Sequence, residues 1–88
     1  VPVSATKSMH GHLMGAAGAI EAVATVLALR RDALPQTANL DTVDAACGGV
    51  HHIVGAPLVG SGARVALSNS FAFGGCNVVL AFRKSDAA

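Results

Sequence analysis

Apolar positions run almost without interruption from His12 to Arg31, and every residue of this segment is compatible with an α-helix. Arg30 and Arg31 suit the negative end of the helix dipole, and Pro35 prevents much further extension. Because the apolar residues occur on nearly every face, the sequence predicts one long helix that is buried on most of its sides.

Two segments near the end of the chain have the composition of β-strands, Arg64 to Ser70 and Asn77 to Lys84. The residues between them, Phe71 to Cys76, form a short glycine-containing connection, which is typical of an antiparallel hairpin. Two shorter strands are predicted at Val1 to Ala5 and Val50 to Val54.

The remaining segments are predicted to be connections: Thr6 to Gly11, the polar stretch Pro35 to Gly49, and the flexible, glycine-containing Gly55 to Gly62. The order strand, helix, strand, strand, strand indicates one layer-forming α/β unit that spans residues 1–84 and has a mainly antiparallel strand set. Residues 85–88 are expected to form a frayed tail.

Composition indicates that this unit does not stand alone. Apolar residues make up 52% of the 88 positions and charged residues only 12%, about half the roughly 25% of an ordinary soluble domain. We therefore expect a large interface with a missing portion of the same protein, with a partner subunit, or with both. The start Val1-Pro2-Val3, which has no initiator methionine, agrees with truncation.

Charge and residue usage exclude several functions. The net charge is +1 and all three aromatic residues are phenylalanine, so a nucleic-acid surface is not expected. Cys47 and Cys76 are far apart, which favours reduced thiols in the cytoplasm over a disulfide framework. No secretory signal is visible, and Leu13 to Leu29, interrupted by Glu21, favours a buried helix over a membrane span.

Glu21 is the most conspicuous polar residue of the predicted helix, since it lies in the middle of a segment without a polar face. An unpaired carboxylate there would cost several kcal/mol or become protonated. Lys7 is the nearest cation outside the helix ends, so we predict a partly buried Lys7–Glu21 ion pair. A purely structural pair, in which each group only satisfies the other, is an equal alternative.

His12 stands at the predicted start of the helix. The positive end of the helix dipole and the free amides at the helix start disfavour an imidazolium there and favour a neutral ring that donates a hydrogen bond. This is the arrangement of an electrophilic histidine, although a histidine that satisfies backbone groups at the helix start fits the spacing as well.

Three other sites are weaker. His10 and His12 together with His51-His52 resemble a metal site, but no acidic or thiolate ligand has suitable spacing, so no metal is expected. The Gly74-Gly75 loop would present amides to an anion but lacks the Lys-Ser/Thr of a phosphate loop. A Cys76–His12 nucleophile pair is disfavoured against a small buried thiol.

Residues 3–21 read V-S-A-T-K-S-M-H-G-H-L-M-G-A-A-G-A-I-E, and residues 69–77 read N-S-F-A-F-G-G-C-N. These stretches resemble the K-S-x-x-G-H-x-x-G-A-A-G-x-x-E and N-S-F-G-F-G-G-x-N signatures at the C-terminal end of the β-ketoacyl-acyl carrier protein synthases. Both motifs are long and occur in the family's order and spacing, and the resemblance covers essentially the whole chain. It is therefore specific.

The resemblance implies the last part of a thiolase-like fold, in which two related halves form α-β-α-β-α layers. It also implies a decarboxylative Claisen condensation of an enzyme-bound acyl group with malonyl-acyl carrier protein, in fatty-acid or polyketide synthesis. The partners would be acyl carrier protein, the remainder of the same synthase and a second copy of the complete protein. No cofactor is implied, because the substrate is carried on the phosphopantetheine of acyl carrier protein.

Residue by residue, the resemblance makes His12 an active-site histidine that donates a hydrogen bond to the malonyl thioester oxygen. Lys7 and Glu21 match the lysine and glutamate that support the family's histidines. Phe73 matches the residue whose amide helps form the oxyanion hole and whose ring gates the acyl pocket. The implied substrate-binding set is Phe71, Phe73, Gly74 and Gly75.

Three positions depart from the family pattern. Ala72 replaces a glycine, which would strain the loop by roughly 1 kcal/mol if this position needs a positive φ. Cys76 replaces a threonine and is not the family nucleophile, which belongs to an upstream segment together with the first histidine. His10 replaces a common threonine and has no assigned role.

Two alternatives stay open beside the enzyme hypothesis. A non-catalytic chain-length-factor-like subunit would shape a pocket without chemistry, although retention of His12, Lys7 and Glu21 argues against it. An independent small binding module would be soluble by itself and melt cooperatively. Under the enzyme hypothesis the isolated 88 residues are expected to be inactive.

Overall fold

A computed structural model of the chain describes residues 1–86, and residues 87–88 of the predicted tail lie outside the described residues. The helices are α1 (Lys7–His10) and α2 (Ala17–Arg31), and the strands are β1 (Pro2–Val3), β2 (Ala33–Leu34), β3 (His51–His52), β4 (Leu58–Val59), β5 (Val65–Ala72) and β6 (Cys76–Arg83). Short 3₁₀ turns occur at Met14–Ala16, Ala45–Cys47 and Phe73–Gly75.

The long helix ends where predicted but begins later. Its predicted start at His12 is wrong, because the backbone has φ of 84° at Gly11 and 51° at Met14, and neither value is compatible with an α-helix. After one 3₁₀ turn the helix starts at Ala17 and runs for 15 residues. Asp32, with φ of 48°, then turns the chain out of the helix.

The prediction that α2 is buried on most sides is wrong for this chain alone. The helix packs against β2, β5 and β6, and only Ala17 and Leu29 along its length are buried. Ile20, Val23 and Val26 remain exposed. The strands of this chain therefore leave apolar side chains of α2 exposed. Such an exposed apolar surface is what the low content of charged residues led us to expect.

The strands form three separate two-stranded sheets within residues 1–86. β1 pairs with β3 in parallel, whereas β2 pairs with β4 and β5 with β6 in antiparallel fashion. The predicted hairpin is confirmed, and its register runs from Val65 opposite Arg83 to Ala72 opposite Cys76. The mainly antiparallel strand set is therefore also confirmed.

The segment predicted to be a flexible loop, Gly55 to Gly62, is attached to the end of α2. It contains β4, and the amide of Gly60 donates to the carbonyl of Asp32 at 3.0 Å. The amide of Gly62 donates to the Asp32 carboxylate, also at 3.0 Å.

The predicted loop Thr6 to Gly11 likewise contains a helical turn, α1. No helix in the described part of the chain combines the length and apolarity that crossing a membrane requires.

Candidate active site

The predicted ion pair between Lys7 and Glu21 is confirmed. Lys7 is the first residue of α1 and Glu21 lies in the second turn of α2, and Nζ and Oε2 are 2.5 Å apart. The Glu21 side chain is only 16% exposed, whereas that of Lys7 is 44% exposed. A carboxylate so far removed from water needs a cation nearby, and the pair consequently fixes α1 against α2.

His12 lies between α1 and the 3₁₀ turn that precedes α2. The amide of Met14 donates a hydrogen bond to its Nδ1 at 3.4 Å. An Nδ1 that accepts a hydrogen bond carries no proton, so the neutral ring holds its proton on Nε2 and can donate it. Because α2 begins only at Ala17, His12 does not stand in its first turn, and the backbone group that contacts the ring is the amide of Met14.

His10, to which the sequence assigned no role, uses both ring nitrogens. Its Nε2 is 2.8 Å from the hydroxyl of Thr6, and its Nδ1 is 2.8 Å from the carbonyl oxygen of Gly11. A carbonyl only accepts, so Nδ1 donates to Gly11, and in the neutral ring Nε2 then accepts from Thr6. The spacing of four between Thr6 and His10 was the sequence signal for this contact, since such residues meet on one helical face.

The phenylalanine–glycine bend connects β5 to β6. Gly74 and Gly75 have φ of 81° and 76°, a conformation that disfavours residues with a Cβ. A Cβ at either glycine would meet no atom within 4 Å, so the backbone conformation and not lack of space requires glycine. Ala72 has φ of −126°, and the strain considered for this departure is absent. The rings of Phe71 and Phe73 are exposed.

Two cavities lie against α2. A cavity of about 300 Å³ lies between α1 and α2, with Met9, His10, Leu27 and Arg31 in its lining. A second cavity, of about 180 Å³, lies between the end of α2 and the end of β6. Neither contains His12 or Phe73, so a cavity shared by these two residues stays a prediction.

The structure also places the cysteine and histidine residues of the weaker candidate sites. Cys76, predicted to be a small buried thiol, is exposed; it begins β6 at the turn end of the hairpin, opposite Ala72. His52 donates from Nε2 to the carbonyl of Cys47 at 2.7 Å. In the described range no cluster of three or more histidine, cysteine or acidic side chains is placed to hold a metal ion.

Comparison with known proteins agrees with the sequence motifs. Residues 1–41, which include Lys7, His12 and Glu21, match the family described as beta-ketoacyl synthase, C-terminal domain. The chain is 52% identical over 87 residues to 3-oxoacyl-[acyl-carrier-protein] synthase 2 of Synechocystis sp., an alignment that covers 96% of the chain and 20% of the relative. The chain belongs to the β-ketoacyl synthase family.

Other relatives come from other organisms and carry other names. A 3-oxoacyl-[acyl-carrier-protein] synthase homolog of Saccharomyces cerevisiae is 43% identical, with 93% of the chain and 20% of the relative covered. Nodulation protein E of Rhizobium sp. is 45% identical, with the same coverage. The chain thus spans about a fifth of the length of the curated relatives it matches. Its mixture of one long helix with mainly antiparallel sheets is consistent with a thiolase-like C-terminal domain.

Proposed function

We propose that the complete protein is a 3-oxoacyl-acyl carrier protein synthase. It condenses an acyl thioester with malonyl-acyl carrier protein and releases carbon dioxide. The names of the ketoacyl synthase relatives support this assignment. The observation that carries it is the His12 ring, whose Nδ1 accepts a backbone hydrogen bond and whose Nε2–H is left to donate.

In the proposed reaction, the bond between the malonyl Cα and its carboxylate breaks and carbon dioxide leaves. The electron pair forms an enolate, with negative charge on the thioester oxygen. His12 Nε2–H donates to this oxygen and stabilises the charge as it develops. The enolate carbon then attacks the acyl thioester on a cysteine outside this chain, and that cysteine leaves as a thiolate.

The other residues support these two steps. Lys7 and Glu21 fix the segment that leads to His12, since their ion pair joins α1 to α2. The amide of Phe73 contributes to the oxyanion hole for the acyl-cysteine, and Gly74 and Gly75 allow the bend that presents it. The exposed rings of Phe71 and Phe73 close the acyl pocket.

The proposal includes the setting of the reaction. The protein would be a cytoplasmic acyltransferase of fatty-acid or polyketide synthesis, active as a homodimer and served by acyl carrier protein. Its substrates arrive on phosphopantetheine, without a cofactor held by the enzyme. The 88 residues alone would be inactive, because their exposed apolar surfaces need the rest of the synthase.

A condensation assay tests the function. The complete protein is incubated with acyl- and malonyl-acyl carrier protein, and 3-oxoacyl product and carbon dioxide are measured together. We expect one molecule of carbon dioxide for each product molecule, and neither from the 88-residue chain alone. A complete protein that is not acylated and yields neither carbon dioxide nor 3-oxoacyl product would be better explained as a non-catalytic chain-length subunit.

Replacing Phe73 by alanine separates the gate from the oxyanion hole, because the backbone amide is kept while the exposed ring is removed. We expect the ratio of kcat/KM for long-chain to kcat/KM for short-chain acyl-acyl carrier protein to change about tenfold. This is the usual effect of losing a few apolar contacts on substrate discrimination. Phe73→Leu, which keeps an apolar side chain, is the control and should change the ratio less. Identical ratios for wild type and Phe73→Ala would count against a gate.

A further inference from the structure

The position of α1 depends on more than its own hydrogen bonds. It has four residues, far fewer than an isolated helix needs. The hydroxyl of Thr6, at the N-cap, does not cap the amides of α1 but contacts His10. The end of α1 is closed by the amide of Gly11, which donates to the carbonyl of Lys7 at 2.7 Å.

The imidazole of His10 joins the residues on either side of this turn. Through Nε2 it contacts Thr6, immediately before α1, and through Nδ1 it contacts the carbonyl of Gly11, immediately after it. That carbonyl belongs to the peptide group between Gly11 and His12. The hydrogen bond from Nδ1 therefore restricts rotation of the peptide plane from which His12 extends.

We propose that His10 is a positioning residue for His12, a role that rests on the proposed function. Its neutral ring, protonated on Nδ1, holds α1 closed and orients the peptide that leads to the donor histidine. Lys7, on the same turn, fixes α1 against α2, while His10 fixes the exit from α1. The two histidines, which are separated by Gly11, thus have opposite tautomers: His10 donates from Nδ1, and His12 is left to donate from Nε2.

The proposal predicts a specific pattern of rescue in the complete protein. His10→Ala should lower kcat for condensation by about 10- to 100-fold, because a small misplacement of a catalytic group has effects of this size. The KM for malonyl-acyl carrier protein and the rate of acyl loading should change little. His10→Asn, whose side-chain amide can replace Nδ1–H toward Gly11, should recover most of kcat.

Thr6 supplies matched variants for the other contact. Thr6→Val removes the hydroxyl that donates to His10 and should lower kcat less than His10→Ala does, whereas Thr6→Ser should resemble wild type. If His10→Ala does not fold, as judged by its thermal melt, His10→Gln takes its place, because it keeps an acceptor for Thr6 but lacks the donor at Nδ1. The proposal would be overturned if His10→Ala, or His10→Gln in its place, kept the wild-type kcat. It would also be overturned if that variant and His10→Asn lost kcat equally.

A spectroscopic readout separates this inference from the proposed function. With ¹⁵N-labelled histidine, at a pH where the rings are neutral, His10 should appear as the Nδ1–H tautomer and His12 as the Nε2–H tautomer. His10→Ala, or His10→Gln in its place, should give a mixture of tautomers at His12. This result is expected even if the wild-type protein shows no condensation. An unchanged His12 signal in that variant would refute the positioning role whether or not the enzyme assignment holds.

Discussion

His12→Ala in the complete protein is expected to lower the condensation rate by at least about 10²- to 10³-fold, the usual effect of removing one donor from a developing oxyanion. The replacement removes the Nε2–H that the Met14 contact leaves available. Acylation of the upstream cysteine should continue, because the proposed role of His12 begins with the malonyl substrate. The measurement is release of carbon dioxide and formation of product, with acyl loading followed separately by intact mass.

His51→Ala is the matched control, since His51 is an exposed histidine on β3. It should leave condensation, decarboxylation and loading unchanged. If His12→Ala retained decarboxylation and elongation at the wild-type rate, the assigned role of His12 would be wrong. If loading fell together with condensation, His12 would act in the acylation step or in folding.

Lys7→Met is expected to lower the free energy of unfolding of the complete protein by about 1–2 kcal/mol, because it leaves the Glu21 carboxylate mostly buried without its cation. The figure is below that of a fully buried pair, since Lys7 is 44% exposed and partly screened by water. Condensation should fall as well, because α1 loses its contact with α2 close to His12. Denaturant unfolding and the condensation assay measure the two effects.

A double-mutant cycle isolates the pair. Lys7→Met, Glu21→Gln and the double variant are compared, and we expect the double variant to be more stable than the sum of the two single losses indicates. The control is Arg64→Met, which breaks the pair with Asp86, whose side chains are 56% and 86% exposed. This change should cost less than about 0.5 kcal/mol. Equal losses from Lys7→Met and Arg64→Met would contradict a structural role for the Lys7–Glu21 pair.

Features whose cause is local were predictable from the sequence. The end of α2 at Arg31 and the β5–β6 hairpin depend on neighbouring residues, such as Pro35 and the two glycines of the bend. The ion pair was predictable for another reason. A carboxylate inside an apolar helix requires a cation, and Lys7 was the nearest one outside the helix ends.

Features that depend on unusual backbone conformation or on distant contacts were not predictable. Met14 has a positive φ although it is not glycine, and this delays the start of α2. The Asp32 carboxylate accepts a hydrogen bond from the amide of Gly62, 30 positions away in the sequence, and no local pattern encodes this contact. The exposure of Val23 on α2 depends on how much of the fold lies within this chain.

The central claim is that His12, supported by the Lys7–Glu21 pair, faces the same cavity as the amide of Phe73. The most direct test is an experimental structure of the complete protein with a thioester analogue bound. We expect Nε2 of His12 and the backbone nitrogen of Phe73 to line one cavity, with His12 Nε2 about 3 Å from an oxygen of the bound thioester. A structure in which the imidazole and the bend lie on opposite sides of the molecule, with no cavity between them, would contradict the account.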